Sequence, residues 1–470
     1  MKFQYTEPKK QRTQIIFAEG TVTKTIEDTK GNVRISIGVG KSADITRRVL
    51  IRVIRKSIRV ARDQKQKAVV IDANDLHFPA IREIDDQELG RLLAENILLA
   101  NYEFTRYKSK KDTLYADVEA VTIRNASQAL KKGMQQGEII GKEVNNVRDL
   151  ANTPGGDMTP QTLAQATREA TKGTSVLVSI LDKKEMQKLN MGLILGVAKG
   201  SPEEPKLIVM EYWGAGKPSA PSKNQNDSKK PIVLVGKGVT FDTGGFNLKP
   251  ESGMFGMHHD MAGGASVIGA ISAVAKLKLK KNVIGIVPAV ENMPSGTAYR
   301  PGDVLTSMSG KTVEVINTDA EGRLILADAL TYAERYSPRL VLDIATLTGA
   351  SLVALGQRAS AIMTRKSKIE MALREQGELS GDYVWPLPLW KEYDADIRGN
   401  VADIGNLVVQ GNSRYGGAIN GGIFLAQFTQ KYPWAHIDMA PRMESISEDN
   451  LAKGSTGEPV RLLIRMVEHY

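Results

Sequence analysis

Residues 231–250, PIVLVGKGVTFDTGGFNLKP, begin as one kind of structure and end as another. Ile232, Val233, Leu234 and Val235 are apolar at every position. Such a run buries both of its faces and reads as a strand inside a mostly parallel sheet. The stretch after Gly236 carries Lys237, Asp242 and Lys249, with Gly238, Gly244 and Gly245 loosening the backbone. A buried strand that ends in charge is the usual form of a site at a sheet edge.

Four similar runs lie on either side: SVLVSIL (175–181), KLIVMEYW (206–213), NVIGIVPAV (282–290) and RLVLDIATL (339–347). Helical stretches separate them, such as GASVIGAISAVAKLK (264–278) and RLILADALTYAERY (323–336). This alternation predicts an α/β domain over 156–470, with a mixed, mostly parallel sheet flanked by helices. The polar segment 214–230 reads as a surface loop between two adjacent strands. Three strand ends then become candidate ligand positions: after PIVLVG, after NVIGIVPAV and after VEVI (313–316).

The N-terminal part has its own strand and helix signals. VRISIGVG (33–40) and KAVVIDA (67–73) read as strands, and 45–64 reads as a helix with Leu50, Ile54, Ile58 and Ala61 on one stripe. Arg48, Arg52, Arg55, Arg59 and Arg62 share another face. Plain solvent exposure accounts for them, and contact with nucleic acid, an acidic partner or another subunit is the alternative. We expect a small α/β accessory domain over 1–125 and a connecting helix over 126–155. A further helix follows, with Thr159 as its cap and Pro160 in its first turn.

Bulk composition narrows the chemistry. The 470 residues are 41% hydrophobic and 25% charged, with no cysteine and five histidines. Disulfides, thiolate metal sites and a cysteine nucleophile are excluded. No His-Glu-x-x-His pattern occurs, so carboxylates must do most of the work in any metal site. No apolar run reaches the ~18 residues of a membrane span, and the N-terminus lacks the apolar centre of a secretory signal. A cytoplasmic location is expected. The net charge of +10 permits weak attraction to nucleic acid, but no nucleic-acid motif accompanies it.

Three segments gather the charge that matters. To Lys237, Asp242 and Lys249, the segment MHHDMAGGA (257–265) adds Asp260, and NTDAEGR (317–323) adds Asp319, Glu321 and Arg323. Taken singly, each reads as a helix cap or a solvated charge. Gathered at one sheet edge, four carboxylates repel and raise one another's pKa unless cations join them. Two lysines and an arginine can do so as a salt-bridge network. Divalent metals can do so as well, since oxygen-rich sites suit them and a pair ~3.5–4 Å apart is a recurrent hydrolytic device.

These segments resemble the leucyl aminopeptidase family, the two-metal cytosol aminopeptidases. NTDAEGRL matches the family hallmark and VGKGVTFDTGGFNLKP its metal-binding segment. HDMAGGA, ENMPSGTAYRPGDV, DIATLTGA, WPLPLWKEYDADI, WAHIDMA and STGEPVRLL continue the match in order, over roughly 140–470. The resemblance implies a macro-like N-terminal domain and a hexamer. It implies one metal (zinc or manganese, or else magnesium or cobalt) on Lys237, Asp242, Asp260 and Glu321, and another on Asp242, Asp319 and Glu321. Lys249 would stabilise the oxyanion. Arg323 would hold a bicarbonate that accepts and shuttles the proton. Met257, Thr346 and Gly349 would line the pocket for the first side chain, an apolar pocket favouring leucine and methionine. His258 and His259, the MAPRM segment (439–443), Thr243 and the stretch 406–419 depart from the family pattern. None of them is an implied ligand.

Overall fold

The computed structural model describes every residue except 7–12, 28, 30, 31, 110–116, 218–228, 410 and 413. The chain forms two compact units, 1–145 with 445–454, and 146–444 with 455–470.

The first unit is built on a six-stranded sheet in the order Lys2–Gln4, Ala120–Arg124, Ala68–Asp72, Thr13–Ala18, Val33–Gly38, Lys24–Glu27. Only the last pairing is antiparallel. The helix Arg47–Asp63 buries Leu50, Ile54, Ile58 and Ala61 completely, as its periodicity predicts. Its arginines do not form the exposed stripe expected of them. Arg48 and Arg52 are exposed, but Arg55 and Arg62 are buried. Arg55 Nε donates to Asn96 Oδ1, and Arg62 Nη1 donates to the carbonyls of Ala100 and Tyr102. The helix Asp86–Asn101 packs over that side. A buried guanidinium needs acceptors, and this neighbour supplies them.

In the second unit the main sheet has the order Val384–Pro386, Ser360–Met363, Trp434–Asp438, Leu340–Ala345, Ile232–Gly236, Asn282–Asn292, Lys206–Trp213, Leu177–Leu181. The four central strands, from Trp434–Asp438 to Asn282–Asn292, run parallel. Lys206–Trp213 and Leu177–Leu181 are added antiparallel, so the sheet is mixed as expected. The strands flanking 214–230 are not sheet neighbours, because Asn282–Asn292 lies between them. Most of that segment, 218–228, lies outside the described residues.

Two features of this sheet escaped the sequence reading. The strand Asn282–Asn292 has eleven residues and outruns its five-residue neighbour Ile232–Gly236. Its free far end pairs with a second strand, Gly238–Asp242, which the sequence reading did not recognise as one. Lys237 therefore sits between two strands, and Asp242 ends the second of them. The VEVI segment, by contrast, is not in the main sheet. Thr312–Glu314 belongs to a separate three-stranded sheet with Val304–Thr306 and Ile404–Gly405. Its burial pattern is half-exposed, unlike the fully buried central strands.

Candidate metal centre

Several separate elements and the chain between them bring the charged residues together. Lys237 lies at the junction of the strands Ile232–Gly236 and Gly238–Asp242, and Asp242 ends the second of them. Asp260 lies in a single turn of 3-10 helix, Met257–Met261, which leads into the helix Ala262–Lys276. Glu321 is the first residue of the helix Glu321–Ala333. That helix takes Ala320 as its N-cap and has no side-chain cap bond, so Asp319 is not spent on capping.

Lys237 Nζ lies 2.8 Å from Asp260 Oδ1 and 2.8 Å from Glu321 Oε1, and donates to the Thr346 carbonyl at 3.0 Å. Lys249 Nζ lies 2.8 Å from Asp242 Oδ2 and 2.5 Å from Asp319 Oδ1. Gly322 makes room for Lys237, since a Cβ there would stand 2.6 Å from its Cε. Gly244, at φ +85°, lets the loop close beside Asp319.

The electrostatics follow from burial. Burial raises the carboxyls of Asp260, Asp319 and Glu321, and the Asp242 charge adds to that. Lys237 and Lys249 pull the other way. Burial pushes both ammonium groups down, but the surrounding carboxylates outweigh it and hold them above the ordinary lysine range. Burial also lowers the Arg323 guanidinium to about 10, against the opposing charges of Glu321 and Asp438. Arg323 Nη1 donates to the Asn406 carbonyl, while its buried Nε has no partner.

Does this donor set fit a metal? One oxygen from each of Asp242, Asp319 and Glu321 lies within 4.8 Å of the others. Asp260 Oδ2 and Glu321 Oε2 are buried without any hydrogen-bond partner. Buried carboxylate oxygens are costly to leave unpaired, and convergent ones suit a hard or borderline cation. The residues fit.

The catalytic-domain model of the cytosol aminopeptidase family matches residues 145–464, and the family's N-terminal-domain model matches residues 18–111. The chain belongs to the cytosol aminopeptidase family. It is thus an aminopeptidase, a hydrolase of a metal-dependent family. A probable cytosol aminopeptidase of Saccharophagus degradans is 42% identical over 447 residues, which span 94% of this chain and 86% of that one. Its counterpart in Nitrosococcus oceani is 45% identical over 386 residues, 80% of this chain and 74% of the other. The solved structure of the bottromycin maturation enzyme BotP in complex with Mn matches with a TM-score of 0.86 at 27% identity. It covers 98% of this chain and 99% of that chain.

Around the centre of this cytosol aminopeptidase, Thr346 is buried and donates to Asp260 Oδ1 at 2.7 Å. Met257 opens the turn that carries Asp260, and Gly349 opens the helix Gly349–Leu355. His259 is buried. Its ring faces Glu444 Oε1 and Asn152 Oδ1 at 3.0 and 3.2 Å. The His258 ring lies tilted against it, and burial lowers its imidazole to about 4.

Two supporting residues were missed from sequence. Asn292 Nδ2 donates to Asp242 Oδ1 at 2.8 Å and to the Thr318 carbonyl at 3.0 Å. The Tyr299 hydroxyl donates to the same carbonyl at 2.7 Å. Asn292 ends the strand begun by NVIGIVPAV, so the rule that points to strand ends could have found it. Tyr299 had no such signal.

Proposed function

We propose that this aminopeptidase uses two divalent ions to release N-terminal apolar residues, leucine above all, from peptides. The observation that carries this reading is the convergence of Asp242, Asp319 and Glu321 oxygens beside the unpartnered oxygens of Asp260 and Glu321. Lys237, Asp242, Asp260 and Glu321 would hold one ion. Asp242, Asp319 and Glu321 would hold the other. Zinc and manganese suit this mixed nitrogen and oxygen set, and magnesium or cobalt are the remaining expectations. When bound, such a pair supplies Lewis acidity and lowers the pKa of water towards neutrality.

The chain's own residues do the rest. Lys249, turned towards Asp242 and Asp319, offers N–H groups to a carbonyl oxygen as it gains charge. Arg323, with a free Nε–H, offers a seat for a small oxyanion, bicarbonate by family likeness. Met257, Thr346 and Gly349 would border the first side chain. Lys237 ligates only as a neutral amine, so a proton must leave as metal enters. Among the carboxylates alone it stays protonated. Metal affinity therefore rises with pH and falls as pH drops.

Replacement of Asp319 or Glu321 by Ala is expected to abolish hydrolysis of leucyl substrates and to lower bound metal. Metal analysis beside a leucyl assay checks both, and full activity in either purified variant would overturn the reading. The family's hexamer is carried as part of this proposal and is checked by light scattering. A cytoplasmic location is also part of the proposal, by likeness to relatives named cytosol aminopeptidases.

A further inference from the structure

The strands Leu340–Ala345 and Trp434–Asp438 stay paired to their last residues, Ala345 opposite Asp438. The Met439 N–H closes the ladder on the Ala345 carbonyl at 2.7 Å. Beyond that point the chain 346–348 leaves the sheet, and backbone pairing no longer holds it. The Asp438 carboxylate takes over. Its Oδ1 accepts from the backbone N–H of Leu347 at 3.1 Å and of Thr348 at 3.4 Å. Its Oδ2 accepts from the Thr348 hydroxyl at 2.7 Å. Asp438 is wholly buried, so these bonds are not shared with bulk water.

The turn held in this way touches the metal centre at one end. The Thr346 carbonyl accepts from Lys237, and the Thr346 hydroxyl donates to Asp260. At its other end Thr348 caps the helix that starts at Gly349, accepting from the Ser351 N–H at 3.2 Å. Thr346 and Gly349 thus lie on either side of the Asp438 contacts. The strands need no carboxylate to stay together, whereas the Asp438 carboxylate holds Leu347 and Thr348 in the turn.

We infer that Asp438 and Thr348 are positioning residues that fix the wall of the pocket for the substrate's first side chain. The inference rests on the reading that places Thr346 and Gly349 at that pocket. A well-set wall discriminates between large and small side chains, and a loose one does so less. Neither residue touches the reacting atoms. Loosening the clamp should therefore alter selection more than turnover.

The test uses the full chain loaded with Mn2+ and two substrates, leucine 4-nitroanilide and alanine 4-nitroanilide. Thr348→Val keeps the shape of the side chain and removes the hydroxyl. We expect it to raise KM for the leucyl substrate about tenfold, with alanyl KM and both kcat values within about threefold. Bound Mn2+ per chain should be unchanged, and Thr348→Ser should restore the leucyl KM. Asp438→Asn should shift the leucyl-to-alanyl ratio in the same direction, and it is the readout if Thr348→Val does not fold. An equal change for both substrates, or loss of Mn2+ in step with activity, would overturn the inference. So would variants that match the unmodified enzyme. Inactivity of the unmodified, Mn2+-loaded enzyme on both substrates would instead overturn the proposed function.

Discussion

Lys237 and Lys249 neutralise different carboxylates, and they should respond differently to substitution. Lys249 faces Asp242 and Asp319 and is partly open, whereas Lys237 is buried between Asp260 and Glu321. Lys249→Met is expected to lower kcat about 10²- to 10³-fold with metal content retained. Steady-state kinetics beside metal analysis measures this, and a loss confined to metal content would contradict the oxyanion role. Gly322 sets a steric limit at the same place. An alanine there favours the helix by about 1 kcal/mol but drives its Cβ into the Lys237 side chain. Gly322→Ala should thus keep its circular dichroism spectrum and lose more than about tenfold in activity, as Lys237 moves off its partners. Undiminished activity would show that Lys237 has slack.

At the scale of elements, the helix Glu321–Ala333 is anchored at Asp328. Its Oδ2 accepts from the N–H groups of Leu193 and Ile194 at the start of the helix Gly192–Val197, and its Oδ1 from Met308. Burial pushes this carboxyl up to about 7, against those three bonds. An unfolded Asp titrates near ~3.9, so the folded state holds the proton more tightly. Stability from this group is therefore greatest below about pH 4, falls between about pH 4 and 7, and is level above, a span of about 4 kcal/mol at most. Asp328→Asn should flatten that dependence. Urea midpoints of both proteins across this range, without metal, measure it; parallel curves would refute the assignment. The same scale shows where periodicity misled. The arginine stripe of Arg47–Asp63 was legible as a face, but a helix pattern does not reveal which neighbour will cover that face. The buried Arg55 and Arg62 depend on acceptors 38 to 41 residues away.

Across the whole molecule, the centre is assembled from residues 237 to 323 of the chain, and its lysines already offset much of the carboxylate charge. Chelation should then cost activity without costing the fold. Dialysis against EDTA is expected to abolish hydrolysis while leaving the far-UV spectrum intact, with activity regained on adding Mn2+. Loss of secondary structure on chelation would show that metal holds the fold itself. Restoration should fail progressively as the pH is lowered, because Lys237 must give up its proton.

What the sequence determined by itself was local and chemical. Buried strands such as Ile232–Gly236 announced themselves by unbroken apolar runs, and Thr159 and Pro160 began a helix as capping chemistry requires. The absence of cysteine and the scarcity of histidine left carboxylates to do most of the work in any metal site, and the family resemblance added Lys237. The charged residue types and their order carried the family resemblance. Tertiary structure alone decided which residues meet. It made Gly238–Asp242 a strand, because a longer neighbour left an edge to pair with, and it moved VEVI to another sheet. It brought Asn292 onto Asp242 and Asp438 onto the turn beyond the sheet. Periodicity reports which face of an element is apolar, but contacts between residues far apart in sequence depend on how strand lengths and helix starts fit together in three dimensions.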